Sequence, residues 1–149
     1  MDKDQIPLYV QFFTEVGILN QLSRAGFEAH LPKGITLAHF SVLHHLVRLG
    51  DGQTPMQIAK AFQLPKTTMT HTLSVLEKRG LVVMRPNPDD GRSKAVILTD
   101  LGRKFCDEAI TSSTPYFANF AARFPREELK NVLPLLAKMR GFLDKERNV

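Results

Sequence analysis

One stretch constrains the fold more than any other: LPKTTMTHTLSVLEK at 64–78, followed without a break by RGLVVMRPNPDDGRSKAVILT. Its first part predicts a helix opening at Pro65, whose missing N–H would be unpaired in a first helical turn anyway. Met69, Leu73 and Leu76 recur at helical spacing with Thr72 on the same side, which makes one face apolar. The other face carries Lys66, Thr67, Thr68, Thr70, His71 and Ser74, and the first acid is Glu77, near the far end. Surface helices usually interleave Glu with Lys because such pairs support the helix. A face that avoids carboxylates until its last turn suits a polyanion. Gly80 then supplies the left-handed residue that ends a helix. Leu81 to Arg85 and Ala95 to Thr99 read as two short strands joined by PNPDDGRSK, with Asp90-Gly91 as the turn signal. A polar-faced helix running into a hairpin with a basic tip predicts a winged helix-turn-helix. The helix would enter a major groove, and the tip would carry Arg92 and Lys94 towards the backbone or minor groove.

The preceding residues supply the rest of that unit. Thr36 caps a helix to about Leu49, with Leu37, Phe40, Leu43, Leu46 and Val47 as its buried positions. Gly50-Asp51-Gly52 ends it. Thr54-Pro55-Met56-Gln57 has the form of a capping box, opening a short helix through Phe62 that buries Met56, Ile58, Ala59 and Phe62. Outside this middle, residues 5–31 predict a long helix capped by Asp4, with Tyr9, Phe12, Phe13, Val16, Leu19 and Leu22 on a wide apolar face. Thr99 caps a further helix interrupted near Pro115. A last helix from Pro125 carries Leu133, Leu136, Met139 and Leu143 on an apolar stripe and should be kinked by Pro134. The expected fold is mainly α with a small β-wing. Residues 35–99 form the winged helix DNA-binding domain, and 1–34 with 100–149 form a helical dimerisation region. The first helix's apolar face looks too broad for one small domain. The two end helices could pack on each other within one chain, but a homodimer is expected, with Tyr9, Leu133, Leu136, Met139 and Leu143 at its interface.

Charge agrees with this division. The chain of 149 residues has a formal net charge of +5. Residues 64–104 hold eight lysines and arginines against four acids, whereas residues 1–63 hold five of each. Most of the excess therefore lies on the helix-and-hairpin stretch, as a nucleic-acid footprint requires. No apolar run approaches a membrane span, and the N-terminus MDKDQIPLY lacks the plan of a signal peptide, so a cytoplasmic protein without a membrane partner is expected. The single cysteine, Cys106, excludes an internal disulfide and a Cys-rich zinc site.

The order Thr36…Val42-Leu43…Leu46, Thr54…Ile58-Ala59, Lys66-Thr67-Thr68-Met69-Thr70, Leu76-Glu77-Lys78-Arg79-Gly80-Leu81-Val82, Asp89-Asp90-Gly91-Arg92-Ser93-Lys94 and Leu98-Thr99…Gly102 resembles the MarR family of transcriptional regulators. Departures are His71, where the family usually shows Arg, His39, where it shows Gln, and Pro65, where an acidic or polar residue is commoner. The resemblance implies that Asp90 orients Arg92 at the wing tip and that Arg92 enters the minor groove. It also implies a ligand pocket between the dimerisation helices and the winged helix. The expected contacts to double-stranded DNA are Lys66, Thr67, Thr68, Thr70, His71, Ser74, Arg85, Asp90, Arg92 and Lys94. The expected effector site is Phe12, Phe13, His39 and Phe40, an apolar cavity with one polar group, for which a small aromatic acid is the first class to consider. The function expected is a dimeric regulator, a repressor released from a pseudo-palindromic operator by that ligand. The alternative is a winged helix that binds protein without specific DNA binding, since the fold hosts both.

Other chemistry is weaker. His30, His39, His44 and His45 lack a neighbouring carboxylate or cysteine in sequence, so no metal site and no cofactor is expected. Cys106 reads as a buried small hydrophobe rather than a thiolate sensor. No nucleophile–base arrangement, phosphate loop or paired carboxylates appear, and an enzyme is not expected.

Overall fold

A computed structural model describes residues 5–146. The elements in chain order are α1 (Ile6–Glu28), α2 (Leu37–Leu49), α3 (Pro55–Ala61), α4 (Lys66–Lys78), β1 (Val82–Asn87), β2 (Asp90–Leu98), α5 (Asp100–Ser112), α6 (Thr114–Ala121) and α7 (Arg126–Glu146). The architecture is mainly helical with a two-stranded antiparallel wing. No helix among the described residues is long and apolar enough to cross a membrane.

Local chemistry sets the helix starts. Thr54 Oγ1 accepts the Gln57 N–H at 3.2 Å, and Gln57 Oε1 accepts the Thr54 N–H at 2.7 Å, which is the reciprocal box at the start of α3. Thr99 Oγ1 accepts the Gly102 N–H at 3.0 Å and opens α5. The expected Asp4 cap of α1 lies outside the described residues. Between α3 and α4 the chain turns through Gln63 in a left-handed conformation, φ 53°, closed by the Leu64 N–H on the Ala59 carbonyl at 2.9 Å. α4 begins at Lys66, with Pro65 as its cap residue rather than its first turn.

The core lies between α2, α3, α4, the wing base and α5. Leu43, Leu46, Ile58, Met69, Leu73, Leu76, Val82 and Val96 are fully enclosed there. Val47 and Met56 were expected inside and are exposed, whereas Val42 is buried. The reason is that α2 turns its 42–43–46 edge to the core, which carries Val47 outward by about 100° from Leu46.

The wing is longer than the sequence suggests and reverses earlier. The turn is Pro88–Asp89, so Asp90 and Gly91 open β2 instead of forming the turn. Asn87 Oδ1 takes the Asp89 N–H at 3.1 Å, closing an Asx turn in which Pro88 already has the φ that its position needs. Val82 to Pro86 pair with Leu98 to Lys94, but Asn87 pairs with Asp90, so residues 91–93 are taken up as a bulge. At the base, Gln53 forms an isolated bridge to Val96, a third sheet partner from the loop after α2.

α7 is one helix from Arg126 to Glu146 with Pro134 inside it, and none of its residues is buried. α1 buries only Phe27. Their apolar faces are open to solvent on a single chain: Leu8, Tyr9, Phe13, Leu19 and Leu22 on α1, and Leu133, Leu135, Leu136, Phe142 and Leu143 on α7.

Candidate nucleic-acid interface

α4 is anchored by the apolar edge Met69, Leu73 and Leu76, with Thr72 also buried and its hydroxyl donated to the Thr68 carbonyl at 3.1 Å. That anchoring fixes the opposite face outward. Lys66, Thr67, Thr68, Thr70 and His71 are exposed, and Ser74 is half-buried. Thr70 donates its hydroxyl to the Lys66 carbonyl at 2.9 Å, so towards a ligand it offers acceptor lone pairs. An acceptor at this position suits a base amino group.

The wing presents the second part. Arg85, Asp90, Arg92 and Lys94 are all exposed. Asp90 Oδ1 accepts the backbone N–H of Arg92 at 3.0 Å, and Ser93 Oγ donates to the Asp90 carbonyl at 3.1 Å while accepting from Asn87 Nδ2 at 3.0 Å. Asp90 thus shapes the bulge from which Arg92 projects, acting on its backbone. Helix and wing are joined by Glu77, whose Oε1 accepts the Met84 N–H at 3.2 Å.

Several residues that brace this unit carry no local signature. Asp51 accepts the Leu98 N–H on Oδ1 at 2.8 Å and pairs through Oδ2 with Arg103 at 3.0 Å, holding wing base, α2 loop and α5 together. Partners about fifty residues apart leave no spacing to find in a sequence. Gly102 fits because a Cβ there would collide with the Leu81 carbonyl.

The residues expected to form one effector site are not brought together. Phe12 and Phe13 line a groove of about 700 Å³ between α1 and α7, with Tyr9, Leu135, Met139, Phe142 and Leu143. Phe40 lines a different cavity of about 520 Å³ between α2, the end of α3 and α7, with His44, His45, Arg48, Arg140 and Asp144. The Phe40 and His44 rings lie nearly parallel there, with centroids 5.6 Å apart and planes at 10°. His39 lines neither space. Its Nδ1 accepts the Thr36 N–H at 3.0 Å, so it serves as a cap of α2. The Nε2 atom is buried with no partner among the described residues, and burial, then the charges of His71 and Arg79, hold the imidazole below its ordinary pKa against the pull of Glu28. The periodicity places Phe12, Phe13 and Phe40 on apolar helix faces, but it could not say that Phe12 and Phe13 line one space and Phe40 another.

Of the expected dimer residues, Tyr9, Leu133, Leu136 and Leu143 are exposed on the single chain and Met139 is half-buried. Among the described residues no group of three or more His, Cys, Asp or Glu stands close enough to hold a metal ion. Cys106 is enclosed, and burial, helped by the charge of Asp107, pushes its thiol up to about 11.

Comparison with known proteins agrees with this geometry. Residues 33–93 match the family model described as the MarR family. A probable transcriptional regulator from Pseudomonas aeruginosa superposes with a TM-score of 0.76 at 25% identity, covering 89% of this chain and 98% of that one. A MarR variant from E. coli, solved in complex with operator DNA, gives 0.78 at 23% identity over 93% of this chain and 99% of its own. BpsR from Bordetella bronchiseptica, whose structure is described as explaining regulation of its DNA binding by 6-hydroxynicotinic acid, gives 0.74 at 24% identity over 85% and 91%.

Proposed function

The chain belongs to the MarR family of winged helix-turn-helix regulators, and on that premise we propose that it is a homodimeric repressor whose operator binding is released by a small aromatic acid. The observation that carries the DNA reading is the α4 surface, where Lys66, Thr67, Thr68, Thr70 and His71 stand exposed with no acid before Glu77. The wing adds Arg85, Arg92 and Lys94. A protein-binding winged helix would show apolar side chains on the outer face of this helix, whereas every exposed residue of α4 is polar or charged. A protein of similar fold has been solved with operator DNA, which supports a DNA-binding reading of this chain.

The dimer follows from the end helices, which expose more large apolar side chains than a lone chain should. Each such side chain contributes roughly 1.5–3 kcal/mol when fully buried, so covering these faces with a second copy would be favourable, which supports the dimer reading. Residues 35–99 are the DNA-binding domain, and 1–34 with 100–149 the dimerisation region. Two copies related by a two-fold axis read two half-sites, which makes the operator a pseudo-palindrome.

For the effector, the cavity between α2, α3 and α7 has the fitting chemistry. Phe40 and His44 form a flat wall, and Arg48 and Arg140 supply counter-charges for a carboxylate. A ligand seated there touches α2 and α3 of the DNA-binding domain and a dimerisation helix, and it would shift the spacing of the two recognition helices if it favoured one spacing.

The test is a salt titration on genomic fragments that the purified protein retains, followed by addition of small aromatic acids. Specific fragments should bind more tightly than random duplex at each salt concentration, with affinity falling steeply as salt rises. Salicylate-sized acids should release the complex, and Arg48→Ala should blunt that release. Equal binding of retained and random duplexes would sink the regulator reading. Release that Arg48→Ala leaves unchanged would place the effector elsewhere.

A further inference from the structure

We propose that Arg79 is a positioning residue that ties the C-terminal end of α4 to the connection between α1 and α2, so that displacement of α1 in the dimer is delivered to the DNA-contacting face. This rests on the reading of α4 as the helix that contacts DNA.

Arg79 is the C-cap residue of α4, and its Nη2 donates to the Lys33 carbonyl at 2.7 Å, across 46 positions of sequence. The seat is built for it. Gly34 has φ +83°, and a Cβ there would lie 2.5 Å from Nη2. The same connection is held from the other side by α1. Glu28, the last residue of α1, accepts the N–H of Leu37, the first residue of α2, at 2.7 Å, and Arg24 braces its carboxylate at 3.0 Å. Ile35 is buried between these two contacts, and its N–H is bonded to the Pro32 carbonyl at 3.0 Å. A segment pinned by a charged hydrogen bond at each end and a buried side chain between them has few free torsions, so it moves as one piece.

The lever is favourable. The DNA-facing residues Lys66 to His71 lie roughly 12–20 Å along the helix axis from Arg79 at 1.5 Å per residue. A tilt of a few degrees at the Arg79 end therefore moves them by about an ångström, enough to spoil base contacts. Glu77 holds the same last turn to the wing through the Met84 N–H. Helix and wing therefore follow the connection together.

Arg79→Gln in the full chain tests this with two readouts. In DNA-free protein, amide exchange at residues 33–37 and in the last turn of α4 should rise together, with the dimer intact by sedimentation. On a fragment retained by the wild type, affinity should fall about tenfold with the salt slope unchanged. Discrimination against the same site with one base pair inserted between its half-sites should shrink. A slope reduced by about one phosphate equivalent, with all sequences weakened alike, would make Arg79 a backbone contact and overturn the proposal. Unchanged exchange would overturn it as well. If the wild type retained no specific fragment, the regulator reading would fail, and the exchange measurement would still decide whether Arg79 locks the connection.

Discussion

At the scale of single residues, His39 is the most informative side chain. It stands at the third helical position of α2 and accepts the Thr36 N–H through Nδ1, so the proton of the neutral ring lies on Nε2. Protonating Nδ1 would remove that acceptor and loosen the start of α2. The folded chain holds His39 below the ordinary value of 6.5, through burial first and then His71 and Arg79. As pH falls below about 6.5, the unfolded chain takes up a proton that the native state refuses, so stability declines. His39→Gln keeps an acceptor at the same place without a titrating ring. Melting temperature should therefore drop more between pH 8 and pH 5.5 in the wild type than in His39→Gln. Equal drops would remove His39 from the account. Glu28 is held below the ordinary carboxylate range chiefly by the Leu37 N–H, which both proteins share, with His39 among the lesser contributors.

In the proposed complex, helix and wing, as elements, would divide the work of binding. Lys66 opens α4 on its exposed face, where a lysine meets phosphate as a point charge. Arg92 projects from the bulge shaped by Asp90 and Ser93, a narrow tip suited to a minor groove. Arg92→Ala should cost on the order of 1–3 kcal/mol and relax the preference for sites with a narrow minor groove. Lys66→Ala should weaken all duplexes about equally and flatten the salt slope. Gel-shift titrations on narrow-groove and ordinary sites separate the two, and identical behaviour would refute the division. The caps belong to this scale too: the Thr54–Gln57 box and Thr99 are legible in sequence because a cap and its partner lie three residues apart.

For the whole molecule, the decisive feature is the apolar surface of α1 and α7. Leu136 is exposed on the single chain although it lies on the apolar stripe of a 21-residue helix. A charge placed there would be desolvated in a dimer interface without a partner, a cost of several kcal/mol. Leu136→Asp should shift sedimentation towards monomer or unfolded protein and abolish operator binding. A wild type that sediments as a stable monomer would remove the basis for assigning both end helices to a second copy.

The amino-acid sequence by itself determined what depends on neighbours along the chain. The polar face of α4 opposite Met69, Leu73 and Leu76, the caps at Thr54 and Thr99, and the order of helix, turn, helix and wing all follow from periodicities and spacings of a few residues. What depends on partners far away in sequence was decided only by the tertiary structure. Asp51 meets Leu98, Glu28 meets Leu37 and Arg79 meets Lys33 because folding closes those distances, and no local pattern marks them. The hairpin turns at Pro88–Asp89, where Asn87 Oδ1 accepts the Asp89 N–H, and the choice between adjacent turn formers is settled by strand register. Val47 and Met56 face outward, and Phe12 and Phe40 line separate spaces, because burial is a property of what packs against a face. A helical period shows that a face is apolar; only the packed elements decide what covers it.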